Sequence, residues 1–172
     1  MKVIFVGHPG SGKTYAADLL SKKGHLKKID IDSLFDEHPL HFFLRNSYKK
    51  ALHALLKNEN EWVIDGYHGH RMPDSIWTDS DVIVFLNLPK VELKQNVFNR
   101  YRNKKSDKDF SHWQSTFVNV LKNLGQIYLL DKPLARNVSR IRSLTQNDGR
   151  LVELRSRQDL DEFIDTLVRE NK

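Results

Sequence analysis

Apolar and polar positions along this chain switch between a two-residue and a helical rhythm, and the switches mark out its elements. Lys2-Val3-Ile4-Phe5-Val6 is a β-branched and aromatic run suited to a buried strand. Thr14 to Lys23 is rich in helix formers, and Gly24 is placed to stop that helix. His25 to Asp32 predicts a short second strand ending in carboxylates. From Leu40 to Leu56 the residues Leu40, Phe43, Leu44, Tyr48, Ala51, Leu52, Leu55 and Leu56 recur at helical spacing, and Asn58-Glu59-Asn60 ends the helix. Trp62-Val63-Ile64-Asp65 predicts a third strand broken by Gly66, with a loop over residues 66–74. Val82 to Leu88 is almost continuously apolar, as expected of a strand covered on both faces.

Pro89 then opens a helix with Leu93, Val97 and Tyr101 at four-residue spacing and Phe98 beside them. Arg100, Arg102, Lys104, Lys105 and Lys108 form or follow its end. Another helix is predicted from about Phe110 to Leu124, and a shorter one after Pro133 with Leu134, Val138 and Ile141 on one side. Asn147-Asp148-Gly149 reads as a turn before a fifth strand at residues 150–154. Ser156 and Asp159 resemble a capping box opening the last helix, with Leu160, Phe163, Ile164 and Leu167 inward. Strands alternating with helices predict a single α/β domain, a parallel sheet with helices on both faces. Ligands in such sheets bind beyond the carboxyl ends of the strands, so Thr14, Asp30, Asp32, Asp65 and Asn87 are expected to converge there.

Composition narrows the class. A chain of 172 residues, 39% hydrophobic and 29% charged, fits a soluble domain with a proper core. No apolar run is long enough to span a bilayer. The first residues run as a strand into the loop that follows, unlike a signal peptide, and this leads to an expectation of a cytoplasmic protein. There is no cysteine, which excludes disulfides, thiolate zinc sites and a cysteine nucleophile. The formal charge of +6 permits nucleic-acid binding without requiring it, because phosphate-handling enzymes also cluster Arg and Lys.

Chemistry concentrates in Gly7-His8-Pro9-Gly10-Ser11-Gly12-Lys13-Thr14, which fits G-x-x-x-x-G-K-[ST] between a strand and a helix. In such a loop, backbone N–H groups wrap a phosphate and the helix N-terminus adds partial positive charge. The expected nucleotide-binding residues are Gly7, Pro9, Gly10, Ser11, Gly12, Lys13, Thr14 and Tyr15. Lys13 supplies a full charge for the β- and γ-phosphates, and the Thr14 hydroxyl is a ligand for Mg²⁺. Only the backbone of His8 is expected to matter. Asp65, closing its strand, is the expected carboxylate for the metal. Asp30 and Asp32 lie on the same side of an extended chain and could orient or deprotonate an acceptor hydroxyl, although Asp32 also suits a helix N-cap. Arg100, Arg136 and Arg140 are expected to stabilise the charge of a moving phosphoryl group, the last two sharing a helix face. Arg45 and Arg71 are candidates for an acceptor phosphate. His68-Gly69-His70 is the only close histidine pair, and no carboxylate pattern beside it supports a zinc site.

These residues resemble the adenylate-kinase-like nucleotide kinases and, more closely, the small P-loop proteins called DNA topology modulation proteins. The likeness is carried by Gly7 to Thr14, by Trp62-Val63-Ile64-Asp65-Gly66-Tyr67, by Ser80 to Pro89 with Arg100 one helix later, and by Leu151 to Asp159. It implies a five-stranded sheet of order 2-3-1-4-5 and a helical lid over ATP near residues 99–112, with Asp65 serving Mg²⁺ and Arg100 contacting the nucleotide. Asn87 stands where the topology proteins often carry Asp, which argues against a metal role there. Arg71 lies further from Asp65 than the matching arginine of adenylate kinases, and the lid has no cysteines for zinc.

The resulting expectation is an ATP- and Mg²⁺-dependent phosphotransferase acting on a small acceptor, a nucleotide or nucleoside. The alternatives are a nucleotide-binding regulator associated with DNA topology and a 5′-polynucleotide kinase.

Overall fold

Alternation along each strand divides the core in two. In the computed structural model, which describes residues 1–31, 45–66, 72–104 and 110–171, Val3, Phe5, Val63, Val84 and Leu86 turn to one face of a sheet. Ile4, Val6, Ile64, Ile83 and Phe85 turn to the other. The two-residue period of extended chain dictates this separation. Burying both faces explains why these strands read as unbroken apolar runs.

The elements are β1 (Lys2–Gly7), α1 (Lys13–Gly24), β2 (Lys27–Asp30), α2 (Arg45–Leu56), β3 (Trp62–Asp65) and α3 (Asp74–Asp79). They continue as β4 (Val82–Leu86), α4 (Lys90–Lys104), α5 (Phe110–Leu129), α6 (Asp131–Leu144), β5 (Leu151–Leu154) and α7 (Arg157–Glu170). The five strands form one sheet in the order β2-β3-β1-β4-β5, every pairing parallel. The α/β class, the parallel sheet and the 2-3-1-4-5 order are therefore as expected.

Ala16, Ala17 and Leu20 of α1 and Leu160, Ile164 and Leu167 of α7 cover one face. Leu52 of α2, Ile76 and Trp77 of α3, and Leu134, Val138 and Ile141 of α6 cover the other. Each large apolar side chain removed from water there contributes about 1.5–3 kcal/mol. A third cluster, Leu88, Leu93, Val97, Val120 and Ile127, joins α4 to α5 beside the sheet.

Some boundaries differ from expectation. Gly24 is the last residue of α1, and the left-handed position that ends the helix is His25, with φ 55° and its N–H donating to Ser21 O. The short helix α3 had no sequence signal: six residues are too few to show a helical period. Helix α5 runs to Leu129, past Gly125, because neighbouring apolar residues hold the helix through an unfavourable position. Helix α6 starts at Asp131, which places Pro133 in its first turn, where a missing N–H costs nothing. The capping box of α7 forms as expected, with Asp159 N–H donating to Ser156 Oγ at 3.0 Å and Ser156 N–H to Asp159 Oδ2 at 3.1 Å.

Candidate active site

The register of the sheet fixes where chemistry collects. Gly7 pairs with Leu86, and Asp30 pairs with Asp65, so the carboxyl ends of β1, β2, β3 and β4 form a common edge. The loop between β1 and α1 rises from this edge. Ser11 N–H donates to His8 O at 3.1 Å, and Lys13 Nζ donates to the carbonyls of Gly7 and His8, each at 2.9 Å. The ammonium thus closes the loop on itself. Gly10 has φ 81°, and a Cβ there would lie 2.5 Å from Leu93 O. A Cβ on Gly7 would lie 2.7 Å from both Leu86 O and Ser11 Oγ. Both positions therefore require glycine for the loop to close. Asn96 of α4 donates from Nδ2 to Gly10 O at 2.9 Å, fastening the loop from outside.

Asp65 is 3% exposed at the end of β3. Burial pushes its carboxyl above the ordinary aspartate range, while a hydrogen bond with the Thr14 side chain and the charges of Lys13 and Lys28 pull it down. Lys28 Nζ lies 3.9 Å from Asp65 Oδ2 and 2.7 Å from Asp18 Oδ1 on α1. Asp30 stands beside Asp65 in register and opposes its ionisation. Thr14, Lys13, Asp65 and Asp30 are thus brought together, as the strand ends predict. Among the described residues no group of three or more His, Cys, Asp or Glu side chains has the arrangement of a protein-only metal cage. A divalent ion held by one carboxylate, one hydroxyl and phosphate oxygens needs no such cage.

Asn87 is not in that group. One residue past Leu86, it turns to the opposite face of the sheet and donates from Nδ2 to Glu153 Oε1 at 2.9 Å. That bond, with Arg155 Nε at 3.0 Å, holds the Glu153 carboxyl below its usual range. Alternation, which places Asp65 on the α1 side, sends Asn87 away from it.

Arg100 is exposed on α4. Arg136 is exposed on α6, and Arg140 pairs with Asp74 at the start of α3. Arg45 begins α2, and its side chain is not among those described. Asp32, Arg71, the His68 and His70 pair and the centre of the expected lid at residues 105–109 lie outside the described residues.

Three neighbours of the loop carry no signal in the sequence. The His8 side chain is buried, with Nε2 3.2 Å from Asp131 Oδ1 and no hydrogen-bond partner for Nδ1 among the described residues. Its side chain therefore matters too: it ties the loop to the first residue of α6. Arg157 stacks on the Tyr15 ring with its guanidinium carbon 3.5 Å from the ring centroid, and its Nη1 would lie 3.9 Å from a Cβ on Gly12. Asn96 is the third. A lone His, Arg or Asn carries no period or spacing, so only the fold could reveal these contacts.

No protein-family profile matches the chain. The adenylate kinases of Ureaplasma urealyticum serovar 10 and Ureaplasma parvum serovar 3 are each 25% identical to it over 125 aligned residues. The match covers 59% of this chain and 59% of theirs, so the chain spans under two thirds of the curated relatives. Shikimate kinase from Acinetobacter baumannii, solved in complex with shikimate, superposes with a TM-score of 0.56 at 18% identity, covering 100% of this chain and 95% of that one. The sheet, its strand order and the glycine-rich loop are those of the P-loop kinase fold.

Proposed function

We propose that the protein is an ATP- and Mg²⁺-dependent phosphotransferase acting on a small acceptor, a nucleotide or nucleoside. One observation carries the reading: a phosphate loop with Lys13 at its centre opens beside the buried Asp65 carboxylate and the Thr14 hydroxyl. The residues present suit the group. Ser11 Oγ is buried inside the loop with no hydrogen-bond partner among the described residues, and Lys13 Nζ lies within hydrogen-bonding distance of the loop's own backbone. The partial likeness to adenylate kinases supports a nucleotide donor. The pattern around Trp62 to Gly66 supports a place beside the DNA topology modulation proteins within this fold.

When bound, ATP supplies the phosphoryl group and Mg²⁺ neutralises its charge. The work of the chain is positioning and electrostatics. Lys13, whose ammonium donates to the carbonyls of Gly7 and His8, would hold phosphate oxygens of the nucleotide. Thr14 and Asp65 are the proposed metal ligands, and burial keeps water from competing at Asp65. The stacked Tyr15 and Arg157 flank the loop mouth, where a nucleotide base has a flat surface to meet. Asp30, Asp32, Arg45 and Arg71 are proposed for the acceptor, with Asp32 orienting its hydroxyl. Arg100, at the base of a lid over residues 99–112, is proposed to stabilise the transferring group. Arg136 and Arg140 are candidates for the same charge, Arg140 reaching it only by releasing Asp74. A cytoplasmic location accords with this chemistry.

The test is a panel of nucleosides, nucleotides and oligonucleotide 5′-ends assayed for phosphate transfer from labelled ATP. Transfer to a small acceptor supports the proposal. Transfer to oligonucleotide ends alone replaces it with a polynucleotide kinase, and tight duplex binding with no transfer replaces it with a regulator.

A further inference from the structure

Alternation gives the two lysines of β2 different surroundings. Lys27, half-exposed on this edge strand, pairs with Glu59 at 2.6 Å. Lys28 stands in register with Val63, whose side chain belongs to the core under α1. The two-residue period puts Asp30 and Asp65 on that same face. Lys28 is therefore turned inward, its side chain 22% exposed. Its ammonium lies 2.7 Å from Asp18 Oδ1 on α1 and 3.9 Å from Asp65 Oδ2.

The two contacts differ in kind. The first is a hydrogen-bonded ion pair. The second is too long for a hydrogen bond and acts through charge alone. The Asp65 side chain is buried, so salt and solvent screen that charge little. Lys28 and Lys13 both favour the ionised Asp65 carboxylate, and both oppose the approach of a further cation.

We propose that Lys28 is a positioning residue for the metal: it weakens the hold of Asp65 on a free divalent cation, and Asp18 limits this by holding the ammonium back. The inference rests on the metal role proposed for Asp65. A lysine ammonium is a compact charge on a flexible stem. Released from Asp18, it would close on Asp65 and occupy the carboxylate oxygen. Held by Asp18, it leaves that oxygen open but still repels a second cation. Nucleotide phosphates bring compensating negative charge, so the repulsion bears mainly on the free ion. Lys28 thereby makes metal uptake depend on nucleotide. If the Asp18–Lys28 pair served only to fasten α1 to β2, losing either partner would act in the same direction.

The probe is Mn²⁺ without nucleotide at about pH 8, well above the carboxylate range, with free Mn²⁺ counted by electron paramagnetic resonance. The full chain is compared with Lys28→Met, Asp18→Asn, the double variant and Asp65→Asn, each checked by a thermal melt. Lys28→Met is expected to bind Mn²⁺ at least about fivefold more tightly than the parent, and Asp18→Asn at least about threefold more weakly. The double variant is expected to follow Lys28→Met, because Asp18 acts through Lys28. A non-hydrolysable ATP analogue is expected to shrink these differences. Equal affinity in the parent, Lys28→Met and Asp18→Asn, or a shift of both variants in one direction, overturns the proposal. A double variant at the parent level overturns the role given to Asp18. In either case, weaker Mn²⁺ binding by Asp65→Asn in the presence of the analogue leaves the metal site standing. Binding that is independent of Asp65 with and without the analogue overturns the metal site together with this proposal.

Discussion

Asn96 of α4 donates its side-chain amide to the carbonyl oxygen of Gly10 at 2.9 Å. The helix that carries Arg100 therefore also fastens the phosphate loop. Its neighbours Leu93 and Val97 press on Gly10 from the same side. Asn96→Ala removes one hydrogen bond, worth about 0.5–1.5 kcal/mol, so ATP affinity should fall about two- to tenfold. Calorimetric titration of ATP in Mg²⁺ checks this, with a thermal melt to show that the fold is intact. Unchanged affinity would mean that the loop holds its shape without α4.

Asp65→Asn is nearly isosteric and leaves a polar group beside Thr14. Burial already disfavours the charged carboxylate, so the variant should melt at the parent temperature or slightly above it. Turnover should fall by two orders of magnitude or more, about 3 kcal/mol in the barrier, while nucleotide affinity changes far less. Full activity in saturating Mg²⁺ would make Asp65 a structural strand end.

His8 gives a pH signature. Burial lowers its pKa below the ordinary value of 6.5, with Lys13 and Lys90 acting in the same direction and Asp131 opposing them. Below that value the unfolded chain takes up a proton that the buried imidazole resists. Stability should therefore be fully present above pH 6.5 and decline as the pH falls toward the folded-state pKa. His8→Gln should flatten this slope. Melting curves of parent and variant between about pH 5 and 8 measure it, and a parent that gains stability on acidification relative to His8→Gln would reverse the assignment.

The fold was legible because its signals are repeated. Five apolar runs, the loop from Gly7 to Thr14 and the Ser156 and Asp159 cap each state local geometry, and together they leave one architecture. The convergence of Asp65 and Asp30 was legible for the same reason: both end strands, and parallel register sets strand ends side by side. What the chain kept hidden depends on side-chain direction across long sequence separations. The contact of His8 with Asp131 and that of Asn96 with Gly10 join elements whose packing no local pattern encodes. Asn87 failed to join the site because one residue of strand phase reverses the face.

The proposed function requires the phosphate loop to bind ATP for transfer to an acceptor. The most direct test is the fate of the terminal phosphate of labelled ATP with Mg²⁺ and the best acceptor of the panel, followed for the parent and for Lys13→Ala side by side. Label is expected in the acceptor for the parent, little of it as free phosphate, with a rate at least about a hundredfold lower without the Lys13 ammonium. Equal rates for the two proteins, or label released only as free phosphate whatever acceptor is present, would contradict it.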